Sequence, residues 1–258
     1  MEWIIVCLAS FGVAILTFFA GFGIGTLLSP VFMLFFPIDV AIALTGIVHF
    51  CNNLFKLWLV GRHADKKTIL RFGLPAIPAA MFGSYLLLHL SELQHVLFKY
   101  QIGSMQYEIV SLKLVIGILL LIFSLVEILP VLNSTHFSKK HLAVGGVLSG
   151  FLGGLSGHQG ALRSAFLLKI GLSKEAYIAT GVVIACIVDV SRLSVYSSRL
   201  YAISWEQEGA YILLATVSAL VGSLLGKRLI QKVTIVMLQR IVVVMLLLFS
   251  LSLILGIL

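Results

Sequence analysis

The stretch Gly153-Gly154-Leu155-Ser156-Gly157-His158-Gln159-Gly160-Ala161-Leu162-Arg163-Ser164 breaks an otherwise apolar run with glycines, an imidazole, an amide and a guanidinium. Apolar segment 142–156 runs into it and segment 160–171 leaves it. A comparable break lies near the N-terminus, Gly21-Phe22-Gly23-Ile24-Gly25-Thr26-Leu27-Leu28-Ser29-Pro30, between segments 3–20 and 26–36. At 1.5 Å per residue, 26–36 and 160–171 each reach only about 17 Å, roughly half of a ~30 Å hydrocarbon core. Six further segments are long enough to cross: 38–60, 69–90, 111–132, 174–197, 208–226 and 235–258.

Composition agrees with a chain made for lipid. Apolar residues make up 60% of the 258 and charged residues 11%, too few charges to cover a water-soluble globule. The runs are continuous rather than alternating, so the expectation is an all-α polytopic membrane protein and not a membrane barrel. The net charge of +8 sits mainly in short loops, where it orients the chain in the bilayer and carries no implication of nucleic-acid binding. Cys7, Cys51 and Cys186 lie inside apolar runs without metal-ligand spacing, so no metal and no cofactor is expected. The first apolar run follows no basic n-region and is expected to be retained.

Placing Thr45-Gly46 over Thr180-Gly181 puts Gly25 on Gly160 and Ala41 on Ala176, and Gly83-Ser84 matches Gly222-Ser223 with a small shift. Each half then reads as a broken hairpin followed by three spans. The first repeat is 1–132 (hairpin 3–36; spans 38–60, 69–90, 111–132). A cytoplasmic linker, 133–141, leads to the second repeat, 142–258 (hairpin 142–171; spans 174–197, 208–226, 235–258). If each hairpin returns to the side it entered, twelve basic residues share one face and three share the other, with Lys56, Arg163 and Arg192 inside segments left out. If each pair crosses once, the split is seven against eight. The positive-inside rule selects the first. The halves are then inverted and both termini are extracytoplasmic. Parity leaves open whether each hairpin is re-entrant or two full crossings; the shortness of 26–36 and 160–171 favours re-entrant half-helices.

Irregular backbone at membrane depth is tolerated only inside protein or along a watery cavity. Two such breaks, one per inverted half, are a recurrent design for a transporter site near the midplane, where half-helix N-termini favour an anion. Candidate substrate-binding residues are therefore Gly21, Gly23, Gly25 and Thr26 from the first break, and Ser156, Gly157, His158, Gln159, Gly160 and Arg163 from the second. Arg163 is the expected charge partner, since its guanidinium can fork onto an oxyanion. His49 and Asn53, four apart in mid-span, can face the same cavity. His158 and Asp189 are candidates for proton coupling. Asp189 and Arg192 are three apart and can pair, but Arg192 and Lys56 lie near span ends, where snorkelling is expected.

Gly154-Leu155-Ser156-Gly157 matches the GxSG of intramembrane serine proteases. No histidine follows His158 to serve as base, so the chain is not expected to be an enzyme. No P-loop is present either. The nearest competitor to a carrier is an anion channel built on two opposed re-entrant hairpins.

The first break with its downstream Pro30, the turn Pro37-Ile38-Asp39, Ala41 and Thr45-Gly46 resemble the signature of the sulfite exporter TauE/SafE family, the toluene-sulfonate uptake permease type. The resemblance covers nearly the whole chain. It implies a multi-pass permease of the bacterial inner membrane for small sulfur-containing anions such as sulfite or organosulfonates. The second break departs from the family pattern: Gly157-His158-Gln159-Gly160 and Ala165 stand where further glycines and a proline are usual.

Overall fold

The computed structural model describes residues 2–17, 24–93, 95–128, 139–201, 208–229 and 235–258. Helix α1 (Glu2–Thr17) is followed by the short α2 (Ile24–Met33), then α3 (Ile38–Val60). A polar turn holding Asp65, whose carboxylate accepts from the Thr68 N–H at 2.8 Å, leads through a π-helical turn, Ile69–Gly73, into α4 (Leu74–Glu92). Strands β1 (Val96–Ile102) and β2 (Met105–Val110) precede α5 (Ser111–Ile128). The second half contains α6 (Leu142–Ser156), α7 (Gly160–Leu167), α8 (Lys174–Tyr201), α9 (Glu208–Leu229) and α10 (Ile235–Ile254).

Four of these helical segments, Ile38–His63, Lys66–Glu92, Lys174–Ser197 and Gly209–Gly226, are long and apolar enough to cross a membrane among the described residues. The expected spans 111–132 and 235–258 form α5 and α10, with 129–132 outside the described residues. The described residues are mostly helical, consistent with an all-α membrane protein. The connection between 90 and 111 carries the little sheet there is, an antiparallel β-hairpin. Its period-two alternation and the Gly103-Ser104 turn, with Gly103 at φ 63°, favour strands over a helical continuation.

Glycine decides how the helices approach. Gly83 on α4 lies against the Phe151 carbonyl and the Leu155 N–H of α6, while Gly146, Gly150 and Gly154 of α6 lie against the Phe72, Ala76 and Ala80 backbone. Rising numbers meet rising numbers, so α4 and α6 run parallel. The same arrangement joins α1 to α9. Gly222 meets Phe11 and Ala14, and Trp3 stacks on Tyr211 with centroids 3.9 Å apart. By contrast, α3 and α8 are antiparallel, since Gly46 meets Arg192 and Leu193 while the Asp65 N–H donates to Thr180 Oγ1 at 2.8 Å. Helices α5 and α10 are antiparallel too, with Gly117 against Ser250 and Glu108 against Gly256.

Such contacts carry the packing energy of a bundle that has little hydrophobic drive between its helices in lipid. A Cβ at Gly150 would lie 2.8 Å from the Ala76 Cα. Gly150→Leu is therefore expected to cost about 1–3 kcal/mol or more by overpacking. Thermal unfolding in detergent should show a lowered midpoint, with Val144→Leu on the exposed side of α6 leaving it unchanged.

Candidate functional site

The second break is formed by Gly157, which ends α6 in the left-handed region at φ 80° and donates to the Gly153 carbonyl at 3.1 Å. A β-carbon is strained there, so glycine permits the reversal. His158 and Gln159 follow, and α7 begins at Gly160. The last carbonyls of α6 would otherwise be orphaned. Arg192 Nη1 donates to Gly153 O at 3.4 Å, and both Tyr196 Oη and Ser84 Oγ donate to Gly154 O.

The first break reaches the second. A Cβ on Gly25 would stand 2.9 Å from the Gly157 carbonyl oxygen, and one on Gly157 would stand 3.2 Å from Ser29 Oγ. Thr26 is buried, and its backbone lies beside the His158 ring. Gly21 and Gly23 lie outside the described residues.

Behind this contact is a buried polar network centred on Asp189, which is 0% exposed. Its Oδ2 accepts from His49 Nδ1 at 2.7 Å and from Asn53 Nδ2 at 3.3 Å. Its Oδ1 accepts from Gln159 Nε2 and from Arg192 Nε, both at 3.0 Å, with Arg192 Nη2 at 2.8 Å. The other end of the Gln159 amide accepts from Arg163 Nη1 at 3.1 Å. One amide thus links Arg163 to Asp189, and four elements converge: α3, the break, α7 and α8.

The two Thr-Gly pairs each make room for a guanidinium. Gly46 faces Arg192, where a Cβ would be 3.3 Å from its Cζ, and Gly181 faces Arg163, at 3.7 Å from its Nε. Ser156 Oγ donates to the Leu152 carbonyl at 3.0 Å, an ordinary intrahelical bond. His158 Nδ1 donates to the Ser156 carbonyl at 2.6 Å, and Nε2 has no hydrogen bond among the described residues. Gly160 is buried at the start of α7.

Two residues depart from the sequence expectation. Arg192 does not snorkel: it is 0% exposed and paired with Asp189. Lys56 does not snorkel either. It is buried on the α3 face that also carries His49 and Asn53, near enough to Arg163 for the two charges to oppose each other. The three-residue spacing of Asp189 and Arg192 signalled their pairing. Nothing local to Lys56 signalled its burial. Asn52 faces away from this network, accepting from Ser223 Oγ on α9 at 2.6 Å.

Comparison with curated proteins and with solved structures gives no match. The family model described as sulfite exporter TauE/SafE matches residues 6–253, nearly the whole chain. On the strength of that match, this multi-pass chain belongs to the sulfite exporter TauE/SafE family of membrane permeases.

Proposed function

We propose that the protein is a secondary permease for a small anion, with sulfite or another sulfur oxyanion or organosulfonate as the substrate class, working by alternating access. The site is proposed between the two glycine breaks. Gly21, Gly23, Gly25, Thr26, Ser156, Gly157, His158, Gln159 and Gly160 form its backbone and polar wall, His49 and Asn53 lie behind it, and Arg163 is the main charge partner. The observation that carries this reading is the contact of Gly25 with Gly157 beside a buried cluster rich in positive charge. Among the described buried side chains, Lys56, Arg163 and Arg192 share that region with Asp189 as the carboxylate. Ionisable side chains held inside a membrane protein mark substrate pathways far more often than packing.

The inverted-repeat reading draws support from the helix pairings. If each second-half helix corresponds to the first-half helix five places earlier, exchanging the halves turns the α1–α9 contact into the α6–α4 contact. It also returns α3–α8 and α5–α10 to themselves. Antiparallel self-pairs are what a two-fold axis in the membrane plane requires. Extracytoplasmic termini follow from the charge count. A periplasm-dependent reporter fused after Leu258 is expected to be active, and activity of only a cytoplasm-dependent reporter there would reject the topology.

Reconstituted vesicles test the function. Influx or efflux of sulfite, thiosulfate, a sulfonate, a carboxylate and phosphate should differ, with a sulfur oxyanion or sulfonate giving saturable flux. Steady unitary currents would instead assign a channel. With His158 and Asp189 as proposed proton carriers, a pH gradient should drive that flux. His158→Gln is expected to flatten its pH dependence while substrate binding persists; an unchanged pH profile removes His158 from the coupling.

A further inference from the structure

The hairpin's register sorts its side chains by chemistry. Phe98 pairs with Ile109, Tyr100 with Tyr107 and Ile102 with Met105, and these six share one face. Lys99 pairs with Glu108 and Gln101 with Gln106 on the other. The apolar face is open: Phe98, Ile102 and Met105 are 60%, 66% and 64% exposed. A two-stranded hairpin is marginal on its own in water, and a contiguous apolar patch marks a surface that something covers.

Its position says what covers it. Ser111, the first residue of α5, follows β2 without a loop, and the base is closed by Ser111 N–H on the His95 carbonyl at 2.9 Å and His95 N–H on Ser111 Oγ at 3.0 Å. The hairpin is also folded over the end of α10. Tyr100 Oη donates to the Leu255 carbonyl at 2.5 Å, and the Glu108 backbone lies against Gly256. It is therefore held at the membrane boundary at both points. Ile118 and Ile122 on α5 and Leu248 and Leu251 on α10, the two helices that hold the hairpin, are exposed apolar side chains, the kind of surface that a spanning helix turns to lipid.

We infer that the β1–β2 hairpin is an interfacial anchor. Its Phe98–Ile102–Met105 face is seated among the lipid headgroups and upper acyl chains, and its Lys99–Glu108 face is turned to water. Tyr100 and Tyr107, stacked with centroids 5.2 Å apart, sit at the depth where amphipathic rings are favoured. The ion pair leaves the polar face without net charge, so the anchor works through apolar burial and does not depend on anionic lipid. This inference is independent of which anion the protein carries.

Nitroxide labels test it on the full chain in uncharged phosphatidylcholine liposomes, with Cys7 and Cys51 changed to Ser and Cys186 to Ala. Labels are placed by Phe98→Cys, Ile102→Cys and Met105→Cys on one face, and by Gln101→Cys and Gln106→Cys on the other. The ratio of collision rates with oxygen to those with a water-soluble nickel chelate is expected to be several-fold higher at 98, 102 and 105 than at 101 and 106. Equal ratios on the two faces would place the whole hairpin in water and overturn the inference. Protection of 98, 102 and 105 from both reagents would also overturn it, by showing a protein surface such as a second copy of the chain. Three apolar-face sites keep the test decisive if one variant fails to fold.

Discussion

Asp189→Asn is expected to lower the stability of the folded protein by about 3–5 kcal/mol, the usual result of removing one partner from a buried ion pair. The carboxylate accepts from His49, Asn53, Gln159 and Arg192. Removing its charge leaves the Arg192 guanidinium buried beside Gly153 and Gly157 with no compensating anion from this residue. An amide in that place also presents a donor where two donors already converge. The effect should be partly reversed by a second substitution, Arg192→Gln, which removes the stranded cation. Thermal unfolding of purified protein in detergent measures both. A single Asp189→Asn variant that unfolds at the parental temperature would show that the network is not what holds α3, α7 and α8 together.

Arg163→Gln is expected to weaken binding of the transported anion by roughly ten- to a hundredfold. A hydrogen bond to a charged group contributes about 1.5–3 kcal/mol, and about 1.4 kcal/mol is a decade in affinity. Arg163→Lys should recover only part of this, because the planar fork is lost while the charge remains. Lys56→Gln is expected to fall in the same range, since Lys56 is buried beside Arg163 and not extended to the interface. The half-saturation concentration for the anion selected by the vesicle screen gives the readout, with thermal unfolding alongside to show that each variant is folded. Parental half-saturation in Arg163→Gln would assign that guanidinium to structure alone and move the site elsewhere.

Much of the framework was legible because it depends on local chemistry. Glycine clusters inside apolar runs mark backbone free to leave the helix, and of the second cluster Gly157 turns left-handed between two helices while Gly153 and Gly154 stay in α6. The glycines of the Thr-Gly and Gly-Ser pairs stood out by repetition, and each meets a neighbour at close range: Gly46 and Gly181 beside arginines, Gly83 and Gly222 beside backbone. The hairpin at 96–110 was missed because hydropathy over long windows outweighs an alternation of a few residues, although the turn at Gly103-Ser104 carried the signal. Arg192 and Lys56 were misread for a different reason. A cation near the end of a span looks able to reach water; Arg192 is brought inside by neighbours distant in sequence, Gly46 and Gly153, and nothing near Lys56 in the sequence marks it as buried.

The glycine-on-backbone seats have a consequence for how the chain is made. Helix α1 is made well before α9, the helix whose surface receives it. Helix α4 likewise waits for α6. Until the intervening helices have been translated, α1 has no docking groove, so its packing on α9 has to follow the synthesis of that helix. Premature termination before Gly222 would then leave α1 undocked, a natural target for membrane quality-control proteases.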